Sequence, residues 1–151
     1  MSKTRAAIGE ISPESYKAVF HLEHVVEQFT EAAGIDKSFA HLLRLRASQI
    51  NKCAYCVRMH TQDAIKSGES TDRISVIPAW RESEYFSEKE RASLALIEAI
   101  TLIADGQIPD EVYEEAASIL DEKEIAAVEW IGVVINAWNR IAISSRILVA
   151  P

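Results

Sequence analysis

The sequence predicts an all-α fold, and three observations carry that reading. Apolar residues recur at three- and four-residue spacing from Tyr16 to Ile141, the period of a helix face rather than of a strand. Runs of alternating β-branched and polar residues are almost absent. The apolar runs are also bounded by residues that start and stop helices, among them Ser12-Pro13, Asp36, Ser87 with Glu90, Asp121 with Glu124, and the glycines at 34, 68 and 106.

Taken in order, Ser12-Pro13 opens a first helix, because proline at the first turn gives up an N–H that has no partner there. Tyr16, Val19, Leu22, Val26, Phe29 and Ala33 form its apolar face, and Gly34 ends it. Asp36 caps a second helix carrying Phe39, Leu42, Leu43 and Ile50. Asn51 caps, or turns into, a third that Gly68 terminates. Residues 69 to 86 are less periodic and read as a short helix with a connecting loop. Ser87 and Glu90 form a capping box for a long helix through Ala92, Leu96, Ile97, Ile100 and Ile103 to Gly106. Pro109 opens a shorter helix containing Val112, Ala116 and Ile119. Asp121 with Glu124 starts the last, whose apolar face is wide enough to be buried all round or used against a second subunit.

The 151 residues suit one domain spanning 1–151, and a chain of that length buries roughly 68–70% of its unfolded surface. Apolar residues make up 48% of it, with only 5 Gly and 4 Pro, so an ordinary core is expected. The net charge of −7 and the lack of a Lys/Arg cluster argue against a nucleic-acid partner. The first ten residues lack the long apolar run of a signal peptide. The most apolar stretch, Ala126 to Trp138, is broken by Glu129 and Asn136, so no membrane span is expected. A cytoplasmic setting follows as the expectation. Two cysteines are too few for a disulfide framework, and in that compartment a CxxC points to redox work or metal.

Those two cysteines lie in Asn51–His60, Asn-Lys-Cys-Ala-Tyr-Cys-Val-Arg-Met-His. Cys53 and Cys56 are three apart and Cys56 and His60 four apart, which places two thiols and an imidazole on one helical stripe with Val57 and Ala64. A free thiol, with a pKa of about 8.5, is mostly protonated at neutral pH. The helix N-terminus favours a thiolate at Cys53, whereas the imidazole one turn on favours Cys56. These arguments select different sulfurs, so the residues alone do not name the attacking one. Such a pair suits an O–O or S–S bond: one thiolate attacks, His60 carries the proton, and the second cysteine closes a disulfide that an external thiol or protein reductant must reopen.

Structural zinc is the main competing reading, and Cys53, Cys56, His60 and His41, or the His21/His24 pair, could be drawn as ligands. The absence of a second CxxC weighs against it, so neither a metal nor any other cofactor is expected. A core pair of inert cysteines is the other alternative. His21 and His24 read as polar positions of an amphipathic helix, and Trp80, Trp130 and Trp138 as core or interface.

The stretch Leu45–His60 resembles the core motif of the AhpD-like alkylhydroperoxidase group of the carboxymuconolactone decarboxylase superfamily. The resemblance continues through Gly68, Ala79–Ser83, Phe86-Ser87, Glu90-Arg91, Pro109-Asp110 and Ile135–Arg140. It implies an AhpD-like helical domain assembled as a homotrimer or homohexamer, and a thiol-dependent peroxidase or disulfide reductase acting on an organic hydroperoxide. It also implies that Cys56 is the peroxidatic cysteine, Cys53 the resolving one, and His60 part of a proton relay. One departure stands out. The family's relay glutamate, twelve residues before the first cysteine, is His41 here, and the histidine between the cysteines is Tyr55. A histidine relays a proton but supplies no fixed negative charge, so weaker peroxidase activity is expected unless another acid, such as Glu23, completes the relay. Superfamily analogy also admits a lactone decarboxylase, though that chemistry needs no dithiol; the non-catalytic alternatives are a redox-sensing or zinc-binding oligomer. The apolar last helix and the tail Ile147-Leu148-Val149 support an obligate-looking homo-oligomer independently.

Overall fold

The fold is known from a computed structural model that describes residues 4–151; Met1–Lys3, part of the N-terminal stretch read above for a leader, lie outside the described residues. The helices are α1 (Ile8–Ile11), α2 (Pro13–Ala32), α3 (Lys37–Ile50), α4 (Ala54–Lys66), α5 (Thr71–Val76), α6 (Glu88–Thr101), α7 (Asp110–Ile119) and α8 (Glu122–Ser144). A 3-10 segment, Ile77–Glu82, links α5 to α6, and no strand occurs among the described residues. No helix among them is long and apolar enough to cross a membrane.

Most helix starts follow the capping chemistry. The Asp36 carboxylate accepts from the Ser38 N–H. Ser87 with Glu90, and Asp121 with Glu124, close reciprocal capping boxes, each of which supplies partners for N–H groups that the helix itself leaves orphaned. Three boundaries differ from expectation. The short α1 precedes the Ser12-Pro13 start. The long helix α6 ends at Thr101, not Gly106, and the chain turns through 102–106 before Gly106 takes a left-handed φ of 91°. Asn51 does not cap the CxxC helix: it is the C-cap of α3, and Cys53 is the N-cap of α4. The tight turn between them is made by Lys52 at φ 58°, a conformation usually left to glycine, which hid the boundary.

Helix α3 is the axis of the molecule. Nearly every residue from Phe39 to Ser48 is buried, and it packs against α4, α6 and α8. The core around it includes Leu42, Leu43, Leu45, Ile77, Leu94, Leu96, Ile97, Val128, Ile131 and Ile135. Trp80 belongs to this core, while Trp130 is exposed. Where α6 crosses α8 the helices touch at Gly132, whose added Cβ would lie 2.7 Å from Ile100 Cγ2. Beside the core, the buried Glu98 carboxylate accepts from Arg46 Nε (2.7 Å), Trp80 Nε1 (2.9 Å) and Arg81 (2.5 Å). Burial alone would raise its pKa, but those three donors outweigh it and hold Glu98 below the usual carboxylate range.

The apolar face expected for the first helix is only partly covered. Val26 and Thr30 are buried in α2, but Tyr16, Phe20, Val25 and Phe29 are exposed, because α2 lies at the edge of the bundle and packs mainly on α8.

Candidate active site

A buried polar ladder fixes the turn that presents the CxxC. Asn51 Nδ2 donates to Asn136 Oδ1 (2.9 Å) and Asn139 Oδ1 (2.8 Å) on α8. Asn139 in turn donates to Ser48 Oγ (3.1 Å), and Ser48 donates to the Arg44 carbonyl (2.8 Å). The Cys53 N–H then bonds the Ser48 carbonyl at 3.0 Å. Each buried amide has found a partner, so the end of α3 and the start of α4 are held in register against α8.

Cys53 and Cys56 are joined as a disulfide, with their Cα atoms 5.4 Å apart. Cys53, as N-cap, precedes the helix rather than lying on its face, and its sulfur accepts the Cys56 N–H at 3.4 Å. Both sulfurs therefore sit at the positive end of α4, where a thiolate would be stabilised. Both residues are also only 2% exposed and pack with Ala142 of α8. The sulfurs are thus bonded to each other in this structure. Reaction at either one requires the covering side chains to part.

His60 stands one turn beyond Cys56 on the buried face of α4, with Ala64 a turn further. Its ring stacks on His41 from α3, centroids 5.8 Å apart. Neither nitrogen of His60, nor Nδ1 of His41, has a hydrogen-bond partner. Burial, reinforced by the nearby Arg44 charge, pushes His60 down to about 3 and His41 down to about 4, so both imidazoles are neutral at pH 7 and keep an open acceptor nitrogen.

Both histidines line a cleft of about 590 Å³ together with Tyr16, Phe20, Glu23, Glu27 and Asp63. Tyr16 and Phe20 stand on its α2 side and meet Trp138 of α8 edge-on, at 5.1 and 6.3 Å. His21 and His24 are exposed on the same rim. The cysteines themselves do not line it; the cleft reaches His60, one turn short of Cys56.

Sequence reasoning named Glu23 but missed Asp63 and Arg44, which also surround the histidine pair. Asp63 offers an oxygen within 4.8 Å of the donor atoms of both His41 and His60. Arg44 is buried, with Glu23 at 4.0 Å and Glu27 at 3.9 Å. Glu23 is raised above the usual carboxylate range, chiefly by burial against the lowering effect of Arg44. Asp63 stands three residues after His60 and Arg44 three after His41, so helical spacing was the available signal.

The comparisons with known proteins bear on this arrangement. Residues 13–99 match the model of the carboxymuconolactone decarboxylase family. The chain belongs to that family. Among curated family relatives, an uncharacterised protein of Bacillus subtilis strain 168, YdfG, is 39% identical over 140 residues, covering 93% of this chain and 92% of its own. A crystal structure of a protein of unknown function from Agrobacterium tumefaciens, named as a candidate antioxidant defence protein AhpD, superposes with a TM-score of 0.86 at 38% identity. The match covers 99% of each chain. Within the carboxymuconolactone decarboxylase superfamily the chain is AhpD-like, and the Cys53–Cys56 pair fits a redox role.

Proposed function

We propose that the protein is a thiol-dependent peroxidase and disulfide oxidoreductase, cycling Cys53 and Cys56 between dithiol and disulfide. The observation that carries the reading is the pair itself: two sulfurs close enough to bond at a helix N-terminus, with a neutral imidazole one turn away. In the reduced protein His60 takes the Cys56 proton. The thiolate attacks the distal oxygen of an organic hydroperoxide, the O–O bond breaks, and the proton returns to the leaving alkoxide, giving an alcohol and a sulfenic acid. Cys53 then attacks that sulfur as a thiol, forming the disulfide and releasing water. An external dithiol or protein reductant supplies the two electrons that reopen it.

The relay glutamate of relatives is His41 here, and Asp63, with an oxygen within 4.8 Å of a donor atom of each histidine, is a candidate for its place. An ionised carboxylate there favours the imidazolium that appears when His60 accepts a proton. Asp63 thus joins Glu23, which lines the same cleft, as a candidate for that role.

Peroxide consumption with a dithiol reductant tests the proposal. Cys56→Ser should abolish turnover. Cys53→Ser should stop after one equivalent and leave a sulfenic acid that dimedone traps. Turnover by Cys56→Ser at the wild-type rate would defeat the assignment. The same reading expects a cytoplasmic homotrimer or homohexamer. Trp130, Val133, Leu102, Ile103 and Leu148 are exposed, and apolar area of that kind favours association with a second copy. A mass in solution that stays monomeric at all concentrations would refute the assembly.

A further inference from the structure

Around the head of the cleft, three side chains are placed as ligands rather than as hydrogen-bonding partners. His41, His60 and Asp63 each present one donor atom, and these lie within 4.8 Å of one another. His60 is 2% exposed with both ring nitrogens unpartnered, and Nδ1 of the buried His41 is unpartnered as well. Buried polar atoms in that condition are uncommon and ask for an explanation. Three carboxylates stand near this pair: Glu23 and Glu27 share the Arg44 guanidinium, and Asp63 has only the exposed Lys66, at 4.0 Å.

We propose that His41, His60 and Asp63 bind one divalent transition-metal ion of the zinc class. Two imidazoles and a carboxylate suit Zn²⁺, Co²⁺ or Ni²⁺, whereas Mg²⁺ and Ca²⁺ require oxygen ligands almost throughout. His60 and Asp63 share a face of α4 and His41 comes from the adjoining α3, so two packed helices hold the set. Metal–ligand bonds of ~2.0–2.1 Å put tetrahedral neighbours roughly 3.3 Å apart. The set must therefore draw in by up to about 1.5 Å from its 4.8 Å span, through rotation of the half-buried Asp63 and turning of the two stacked imidazoles. The same cleft is lined by the Glu23 and Glu27 carboxylates.

The sulfurs are not part of this set, because they are bonded to each other and do not line the cleft. The disulfide form of the protein is thus a full-strength metal binder. One consequence rests on the dithiol reading above: an ion on His60 puts positive charge on the ring that would take the thiol proton, so metal slows peroxide reduction.

The test is titration of the oxidised, chelator-stripped full chain with Co²⁺, read by its visible absorption, and with Zn²⁺ by calorimetry. The expected result is one ion per chain. Asp63→Asn and His41→Gln should each weaken binding by more than about a hundredfold, beyond the ~10–100-fold that a lost outer-shell contact costs, and Cys53→Ser/Cys56→Ser should leave it unchanged. Circular dichroism of each variant shows that it is folded; Asp63, half-buried on the cleft wall, is the change least able to disturb the core. The proposal is overturned if the oxidised chain binds no metal or if binding is lost in the double cysteine variant. It is equally overturned if His41→Gln and Asp63→Asn bind as well as wild type while His21→Gln/His24→Gln does not. None of these readouts involves peroxide, so failure here and failure of the peroxidase reading are separate results.

Discussion

Acid should destabilise this protein through His60, and replacing that residue should remove the effect. The folded-state pKa of His60, about 3, lies below the value of ~6.5 expected for the unfolded chain. Between those values the unfolded chain holds a proton that the folded chain excludes, so stability is lost as pH falls. The slope approaches ~1.4 kcal/mol per pH unit for one such group. Allowing for partial protonation of the unfolded chain at pH 7, the loss from pH 7 to pH 5 is about 2 kcal/mol. His41, at about 4, acts in the same direction, but it is present in both proteins, so its share cancels in the comparison. Glu23 works the other way, since its raised pKa lets the folded chain take up a proton before the unfolded one does. The perturbation is His60→Leu. Neither His60 nitrogen has a partner to orphan, so the change should cost little at pH 7 and should remove about 2 kcal/mol of the acid loss. Urea unfolding of the oxidised protein at pH 7 and pH 5, with a chelator present and tryptophan fluorescence as the signal, measures both. If wild type and His60→Leu lose equal stability over that interval, the imidazole is not held neutral by burial and the reasoning fails.

Other outcomes follow from single contacts. Glu98→Gln removes the charge that Arg46, Trp80 and Arg81 share and should lower unfolding stability by about 2–3 kcal/mol, toward the lower end because Arg81 can turn to solvent. Gly132→Ala drives a methyl against Ile100 and should lower stability by about 1–3 kcal/mol, visible as an earlier urea midpoint. Lys52→Gly relieves a left-handed φ of 58° and should raise stability by about 1 kcal/mol. His41→Glu places a fixed negative charge beside His60 and opposite Arg44. It should speed oxidation of the thiols by peroxide in stopped flow, and an unchanged rate constant would show that the departure at this position does not matter.

Much of the fold was legible because its signals are local. Asp36, Ser87 with Glu90, and Asp121 with Glu124 declare helix starts through side chains within four residues of the N–H groups they satisfy. The proximity of Cys56 to His60 was legible for the same reason, being one turn of one helix. Asp63 and Arg44 were harder to read, because their importance arises only when α3 packs on α4 and brings His41 against His60. Burial of the sulfurs was likewise out of reach, since it depends on Ala142 of α8, far along the chain. The face of α2 misled for the opposite reason: its helical periodicity is real, yet periodicity does not say whether anything covers it, and Phe20 and Phe29 remain exposed.

The central claim is that Cys53 and Cys56, and nothing else in the chain, accept the oxidising equivalents of a hydroperoxide. The direct measurement is thiol titration with intact-mass analysis of reduced protein before and after one equivalent of organic hydroperoxide. The account predicts two thiols falling to none, with the mass of two hydrogens lost and no covalent dimer formed. Two thiols still titrating after excess peroxide, or a disulfide found between chains rather than within one, would contradict it.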